Sequence, residues 1–287
     1  MNHLSITTFG TLQITLDEHP TTSFATDKVR ALLVYLAVEA GHAHRRETLA
    51  GLLWPDLADR DARHNLSQAL WHLRQALQDR TAAIPFVQSS RATVQLNPAS
   101  RYRLDVTSFT HLPAECAVHA HAELETCPVC LPRLRQAADL YQGEFLQHFV
   151  LGHNSPFDEW ALMLRERLHQ QALQLFATLA RLYEQRGDDE QARAFLVRQL
   201  ELEPWREEAH RHLMQSLAQS GQRSAALAQY ATCRRILADE LGIDPAPATT
   251  QLYEAIRAAE VAPAPVHTAP APSTAPLSAN TWLVATK

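Results

Sequence analysis

The chain has 287 residues, 46% of them hydrophobic, with eight glycines, four cysteines and a formal charge of −5 at pH 7. At roughly 150 residues per domain this is enough for two domains, and so few glycines favour helices over a turn-rich β fold. The longest apolar run, 31–38, is far short of a bilayer span, and four cysteines do not make a secreted disulfide framework. The first residues lack the charged and apolar regions of a signal peptide, so a cytoplasmic protein without membrane partners is expected. The charge is uneven: residues 1–110 hold 11 Lys/Arg against 10 Asp/Glu, and the remainder 15 against 21. A front half so weakly basic must owe any DNA affinity to local placement, dimerisation or helper proteins.

Residues 4–9 and 12–16 alternate with period 2 around Gly10-Thr11 and predict a hairpin. Thr26-Asp27 then offers a cap for an amphipathic helix through Val29, Leu32, Leu33 and Leu36 that stops near Gly41. A short helix over 46–53 is broken by Trp54-Pro55-Asp56.

The most informative stretch is 59–78. At 100° per residue, Ala62, Leu66, Ala69, Leu70, Leu73 and Leu77 share one narrow arc. His64, Gln68, Trp71 and Gln75 occupy the opposite arc, with Arg60, Arg63 and Arg74 on its shoulder. Such a row suits a helix in a DNA major groove, where amides read base edges and guanidiniums hold phosphates. Two short strands over 86–96 around Ser89-Ser-Arg91 then form a wing whose Arg91 is placed to reach a minor groove or a phosphate, and 102–105 is expected to pair beside them. Hairpin, three helices and closing hairpin make a winged helix-turn-helix over 1–106. The DNA-facing set is Arg60, Arg63, His64, Ser67, Gln68, Trp71, Gln75 and Arg91. Trp71 either stacks on sugar or a thymine methyl, or is buried against the wing. Asp59 and Asp61, at the helix start, satisfy the macrodipole.

Residues 107–130 show no regular pattern and are read as a junction with little apolar material of its own. It holds Cys116, His119, His121, Cys127 and Cys130. A Cys-x2-Cys turn lets two thiolates share a tetrahedral ion, and Cys116 with one histidine would complete a Cys3His zinc site. Unrelated reduced thiols, or a redox pair at the start of the next helix, are the alternatives. Cys233, among apolar neighbours, belongs to a core.

From 131 onward the pattern is helical. Gly187 and Gly221 lie 34 residues apart, each closing a helix, and Ala192 and Ala226 follow each by five. A 34-residue period with small residues at the crossing is the tetratricopeptide signature, so 131–260 is read as a helical partner or dimerisation domain. The segment 261–287 collapses to Ala, Pro, Thr and Ser and reads as a linker or disordered tail. No Gly-x-x-x-x-Gly-Lys-Ser/Thr loop and no catalytic constellation stand out, and an enzyme is not expected.

Several stretches in order resemble the SARP-type bacterial transcriptional activators, which fuse a response-regulator-type winged helix to a bacterial transcriptional activation domain. They are Arg46-Glu-Thr-Leu-Ala-Gly-Leu-Leu-Trp-Pro55, Asn65-Leu-Ser-Gln-Ala-Leu-Trp-His-Leu-Arg74, Leu140-Tyr-Gln-Gly-Glu-Phe-Leu146, Glu159-Trp160, Glu203-Pro-Trp-Arg-Glu-Glu-Ala-His210 and Glu240-Leu-Gly-Ile-Asp-Pro245. The resemblance implies that the helix over 59–78 enters the major groove at direct repeats. It also implies that the segment before it, with Trp54, Pro55, Asp56 and Leu57, faces RNA polymerase. The expected protein is thus mainly α with a small β part, a sequence-specific activator whose partners are double-stranded DNA and RNA polymerase. The alternative is an interaction scaffold whose winged helix binds protein.

Overall fold

The structure is a computed structural model that describes residues 3–120, 123–124, 126–152 and 155–258. His121 and the segment read as a tail therefore lie outside the described residues.

In chain order the N-terminal part runs β1 (Leu4–Thr7), β2 (Gln13–Leu16), β3 (His19–Pro20), α1 (Asp27–Val38), β4 (His44–Arg45), α2 (Arg46–Leu53), α3 (Asp59–Ala76), β5 (Val87–Ser89), β6 (Thr93–Leu96) and β7 (Tyr102–Leu104). The period-2 alternation puts Leu4 opposite Leu16 and Ile6 opposite Ile14, all four buried. The wing is a three-stranded sheet, β4-β6-β5. Its β4, two residues long, is too short to leave an alternating pattern in sequence.

The expectation that 102–105 pairs beside the wing is wrong. β7 joins the other sheet, parallel to β1, in the order β3-β2-β1-β7, with Tyr102 against Leu4 and Leu104 against Ile6. A three-residue strand carries no information about its partner, and burial of Leu104 over the first sheet decides it.

The helical part comprises α4 (Asp105–Val118), α5 (Cys130–Leu140), α6 (Pro156–Gln185), α7 (Asp189–Leu202), α8 (Glu207–Gln219), α9 (Arg223–Leu241) and α10 (Pro247–Ala258). Much of the supposed junction is thus α4, packed on α5 with Val106, Phe109 and Cys116 buried. Pro113, which removes one helical donor, and a run of Thr and Ser hide this helix in the sequence.

The 34-residue repeat maps α6–α7 onto α8–α9. Gly187 and Gly221 each follow a helix C-cap with φ of 73° and 77°, a left-handed turn that a side chain would oppose. Ala192 and Ala226 sit fully buried at the crossings.

One apolar core runs through both parts. Phe9 packs on Phe109 and Tyr141 with ring centroids at 5.1 and 4.9 Å. The loop after β1 is bonded to the segment after α5: Gly10 N–H donates to Glu144 O at 2.9 Å, and Leu146 N–H to Thr8 O at 2.8 Å. The buried Asp105 carboxylate accepts from Thr8 N–H (2.6 Å), Thr8 Oγ1 (2.7 Å), Phe9 N–H (2.8 Å) and Val106 N–H (2.8 Å). On the far side, Trp160 of α6 donates its indole N–H to Glu39 Oε1 at 2.9 Å and lies against Tyr35. A boundary at 106 therefore cuts a shared core. Among the described residues no helix is long and apolar enough to cross a membrane.

Candidate nucleic-acid interface

The amphipathic pattern of α3 decides its placement. Ala62, Leu66, Ala69, Leu70 and Leu73 are buried, and α1 and α2 pack on this face. Each leucine so buried stabilises the fold by about 1.5–3 kcal/mol, which fixes the helix's rotation and turns the opposite arc outward. Arg60, Arg63, His64, Ser67, Gln68, Trp71, Gln75 and Arg91 are all exposed. Trp71 is half accessible, so of its two roles the one against the wing is not adopted. No side chain caps the N-terminus of α3, and Asp59 and Asp61 stand in its first turn.

Local contacts orient several of these groups. Gln68 Nε2 lies 2.9 Å from the His64 ring nitrogen one turn earlier, which couples the two side chains. Ser67 Oγ donates to Arg63 O at 2.9 Å and accepts from Arg46 Nη2 at 3.0 Å, tying α3 to the start of α2. Arg74 donates to Ser89 Oγ on the wing at 2.7 Å and lies 3.9 Å from the buried carboxylate of Asp79. Asp79 accepts from the N–H groups of Phe86 and Val87 and so anchors the start of the wing. Burial pushes its carboxyl up, opposed by those two donors and by Arg74. At the wing tip, Ser90 Oγ accepts from the N–H groups of Ala92 and Thr93 and holds the turn that presents Arg91.

Between α3 and the wing lies an open bay of about 560 Å³, lined among others by Arg46, Trp71, Arg74, Asp79, Arg80 and Ser89. Arg46 and Arg80 are cations that the reading of α3 alone leaves out, and they stand beside Arg74 of its shoulder. Arg46 and Arg80 stand at the edges of neighbouring elements, where helix periodicity gives no signal. The fold thus adds arginines of neighbouring elements to those of α3, although Asp79 lies beside Arg74 and Glu47 beside Arg63.

Of the segment expected to face polymerase, Pro55, Asp56 and Leu57 are exposed. Trp54 is only half so: it packs against the core, with the Lys28 ammonium 5.3 Å from its ring centroid. Burial lowers the pKa of Lys28, against the pull of Asp56.

The family model described as the bacterial transcriptional activator domain matches residues 104–257, more than half of the sequence. The chain belongs to that family. The match begins at the end of β7 and covers α4 to α10, so the model places α4 inside this domain rather than in a linker. Curated relatives include the regulatory protein AfsR of Streptomyces coelicolor, 38% identical over 129 residues, which is 45% of this chain and 12% of that protein. AfsR of Streptomyces griseus is 34% identical over 160 residues, 56% of this chain and 16% of that protein. The chain therefore spans only a small part of these regulators. A solved structure of Mycobacterium tuberculosis EmbR in complex with a low affinity phosphopeptide shares the fold with a TM-score of 0.66 at 22% identity, over 90% of this chain and 66% of that one. The resemblance to SARP-type transcriptional activators stands, and with it the winged helix followed by a tetratricopeptide-like domain.

In this activator domain the sulfur-bearing stretch joins the end of α4 to the start of α5. His119 Nδ1 lies 3.2 Å from Cys130 Sγ and 3.7 Å from Cys127 Sγ. Cys127 Sγ also accepts the Cys130 N–H at 3.4 Å. Cys116, on the last turn of α4, points its Sγ at Cys130 O, 3.6 Å away. All three cysteines are buried and His119 is half-buried. Burial, reinforced by the neighbouring Cys127 and Cys116 thiols, pushes the Cys130 thiol up to about 12. The Cys130 N–H lowers that of Cys127. Cys233 lies buried in α9, away from this group.

Proposed function

We propose that the chain is a sequence-specific transcriptional activator that lays α3 in the major groove of double-stranded DNA. Gln68, Gln75, His64 and Ser67 read base edges, and Trp71 stacks on sugar or a thymine methyl. Arg46, Arg60, Arg63, Arg74 and Arg80 hold the flanking phosphates, and Arg91 carries the wing to the adjacent minor groove or backbone. What supports this reading above all is the exposed polar row of α3 beside an arginine-lined bay. Two copies at direct repeats, in contact through their helical domains, would add the affinity that a front half of balanced charge lacks. The exposed Pro55, Asp56 and Leu57, with Trp54 as their anchor, then turn towards RNA polymerase.

A titration with operator-length DNA over a salt series tests the reading. Gln68→Ala should lose discrimination at one base pair, about 1–3 kcal/mol. Arg63→Ala should weaken all sequences alike and flatten the log–log salt slope by about one unit. If both variants bind every DNA as the unaltered chain does, α3 does not face DNA. The balanced charge of residues 1–110 then favours a winged helix that binds protein.

A further inference from the structure

We propose that His119, Cys127, Cys130 and Cys116 form a structural zinc site that clamps the end of α4 to the start of α5. The ligand atoms of His119, Cys127 and Cys130 all lie within 4.8 Å of one another. Zinc bonds of about 2.3 Å to sulfur and about 2.0 Å to nitrogen, at a tetrahedral angle, set a sulfur–nitrogen edge of about 3.5 Å. The two edges here, 3.2 and 3.7 Å, bracket that value. An ion between the three atoms thus needs only small movements of the side chains.

Two further features fit a metal centre better than a redox pair. Both thiols of the Cys-x2-Cys turn converge on one imidazole nitrogen, the arrangement of ligands around a shared ion. The Cys130 N–H donated to Cys127 Sγ stabilises a thiolate in either case. Cys130 is fully buried, whereas thiols that exchange with partners are partly exposed. Cys116 is the proposed fourth ligand: it stands outside the group of three converging atoms, but its sulfur lies 3.6 Å from Cys130 O at the edge of that group. Four protein ligands leave no open position, which makes the site structural rather than catalytic.

The position gives the ion its task. Cys116 and His119 stand at the end of the helix whose first residue, Asp105, holds the loop after β1, and Cys130 begins the helix that leads into Tyr141, which packs on Phe9. Holding α4 and α5 together from the far end braces the joint between the DNA-reading part and the helical part. The Arg133–Glu115 ion pair at 3.2 Å spans the same two helices but is exposed and contributes little.

The test uses the full chain, purified with a thiol reductant and without a metal-affinity tag, then loaded with zinc alone and dialysed. Elemental analysis should find about one zinc per chain. Cys127→Ser and Cys130→Ser should lose it, Cys116→Ser and His119→Ala should hold it more weakly, and Cys233→Ser should keep it. Cobalt loaded in place of zinc should give the intense visible bands of a tetrahedral, thiolate-bound ion, a readout on the unaltered chain that does not depend on any variant folding. Loaded metal should also protect Cys127 and Cys130 from alkylation, and a chelator should expose them. A chain that retains no metal after loading overturns the proposal, as does zinc content that Cys127→Ser and Cys130→Ser leave unchanged.

Discussion

Where β1 meets α4 and α5, the partners are far apart in sequence: Thr8 and Asp105 are separated by 97 residues. In the stack from α7 to α10 each helix packs chiefly on its neighbours in sequence. The first joint is held by a buried carboxylate with four donors, by three backbone bonds and by aromatic rings. The end of the stack relies on a small separate cluster of Met214, Ala226, Tyr230 and Ile256. Glu207 adds to it by accepting from Ala246 N–H and Thr249 Oγ1. Repeat arrays gain stability as a sum of neighbour terms, so their ends can open alone, whereas a joint built from distant segments opens only with the whole molecule.

The largest effect should come from the joint's centre. Asp105→Ala leaves several buried donors without an acceptor, at about 1–3 kcal/mol for each that finds no other partner. Because three of those donors, on Thr8 and Phe9, lie in the loop after β1 and the acceptor on α4, thermal melts followed on the winged helix and on the repeat should fall together. If the repeat keeps its melting temperature while the winged helix unfolds, the two parts do not share a core.

Gly143→Ala probes the same joint more gently. A Cβ there meets Gly10 Cα at 3.1 Å, a backbone atom that cannot rotate away, and Gln147 Oε1 at 3.0 Å. Forcing the two loops apart should cost about 1–3 kcal/mol in chemical denaturation. A variant as stable as the original would mean that the Gly10–Glu144 bond has slack.

The smallest effect belongs to the stack. His210 is buried, with Nε2 at 2.8 Å from Pro204 O and Nδ1 at 2.6 Å from the Gln229 amide, the pattern of a neutral ring. Burial holds its pKa below 6.5, against the raising influence of the Pro204 carbonyl and Glu207. The unfolded ring therefore takes up its proton first as the pH falls. Its contribution is complete above 6.5 and is lost on acidification through 6.5 towards the folded value. His210→Gln should flatten that part of the stability–pH curve, and hydrogen exchange should localise the change to α8 and α9. An unchanged slope would mean that other groups carry it.

The same contrast explains what was legible in the sequence. Leu66, Leu70 and Leu73 announce α3 and its outward face, because a helix that buries one stripe must repeat every three or four residues. Gly187 and Gly221 announce the repeat, because a left-handed turn leaves few alternatives to glycine. The joint left no such trace. Asp105 reads as an ordinary acid at a helix start, and its role rests on residues 97 positions earlier. Pro113 disguised α4, and β7 is too short to name its neighbour. The spacing of Cys127 and Cys130 was readable, and the structure sets His119 beside them. Cys116 is close by virtue of a helix that the sequence concealed.

Synthesis from the N-terminus gives this joint a history. The β1–β2 hairpin can close within about 1–10 μs of emerging. Its lasting partners, Asp105 and Phe145, follow only after some hundred residues more, on the order of ten seconds later at about 5–20 residues per second. Throughout that interval Phe9 has neither Phe109 nor Tyr141 to cover it, and β1 lacks its β7 neighbour. The repeat at the other end has no such wait, since each helix finds its partner as soon as the next one is made. A young chain is therefore most exposed to association at its first strand, and Tyr141 to Leu146 complete the cover that ends this exposure.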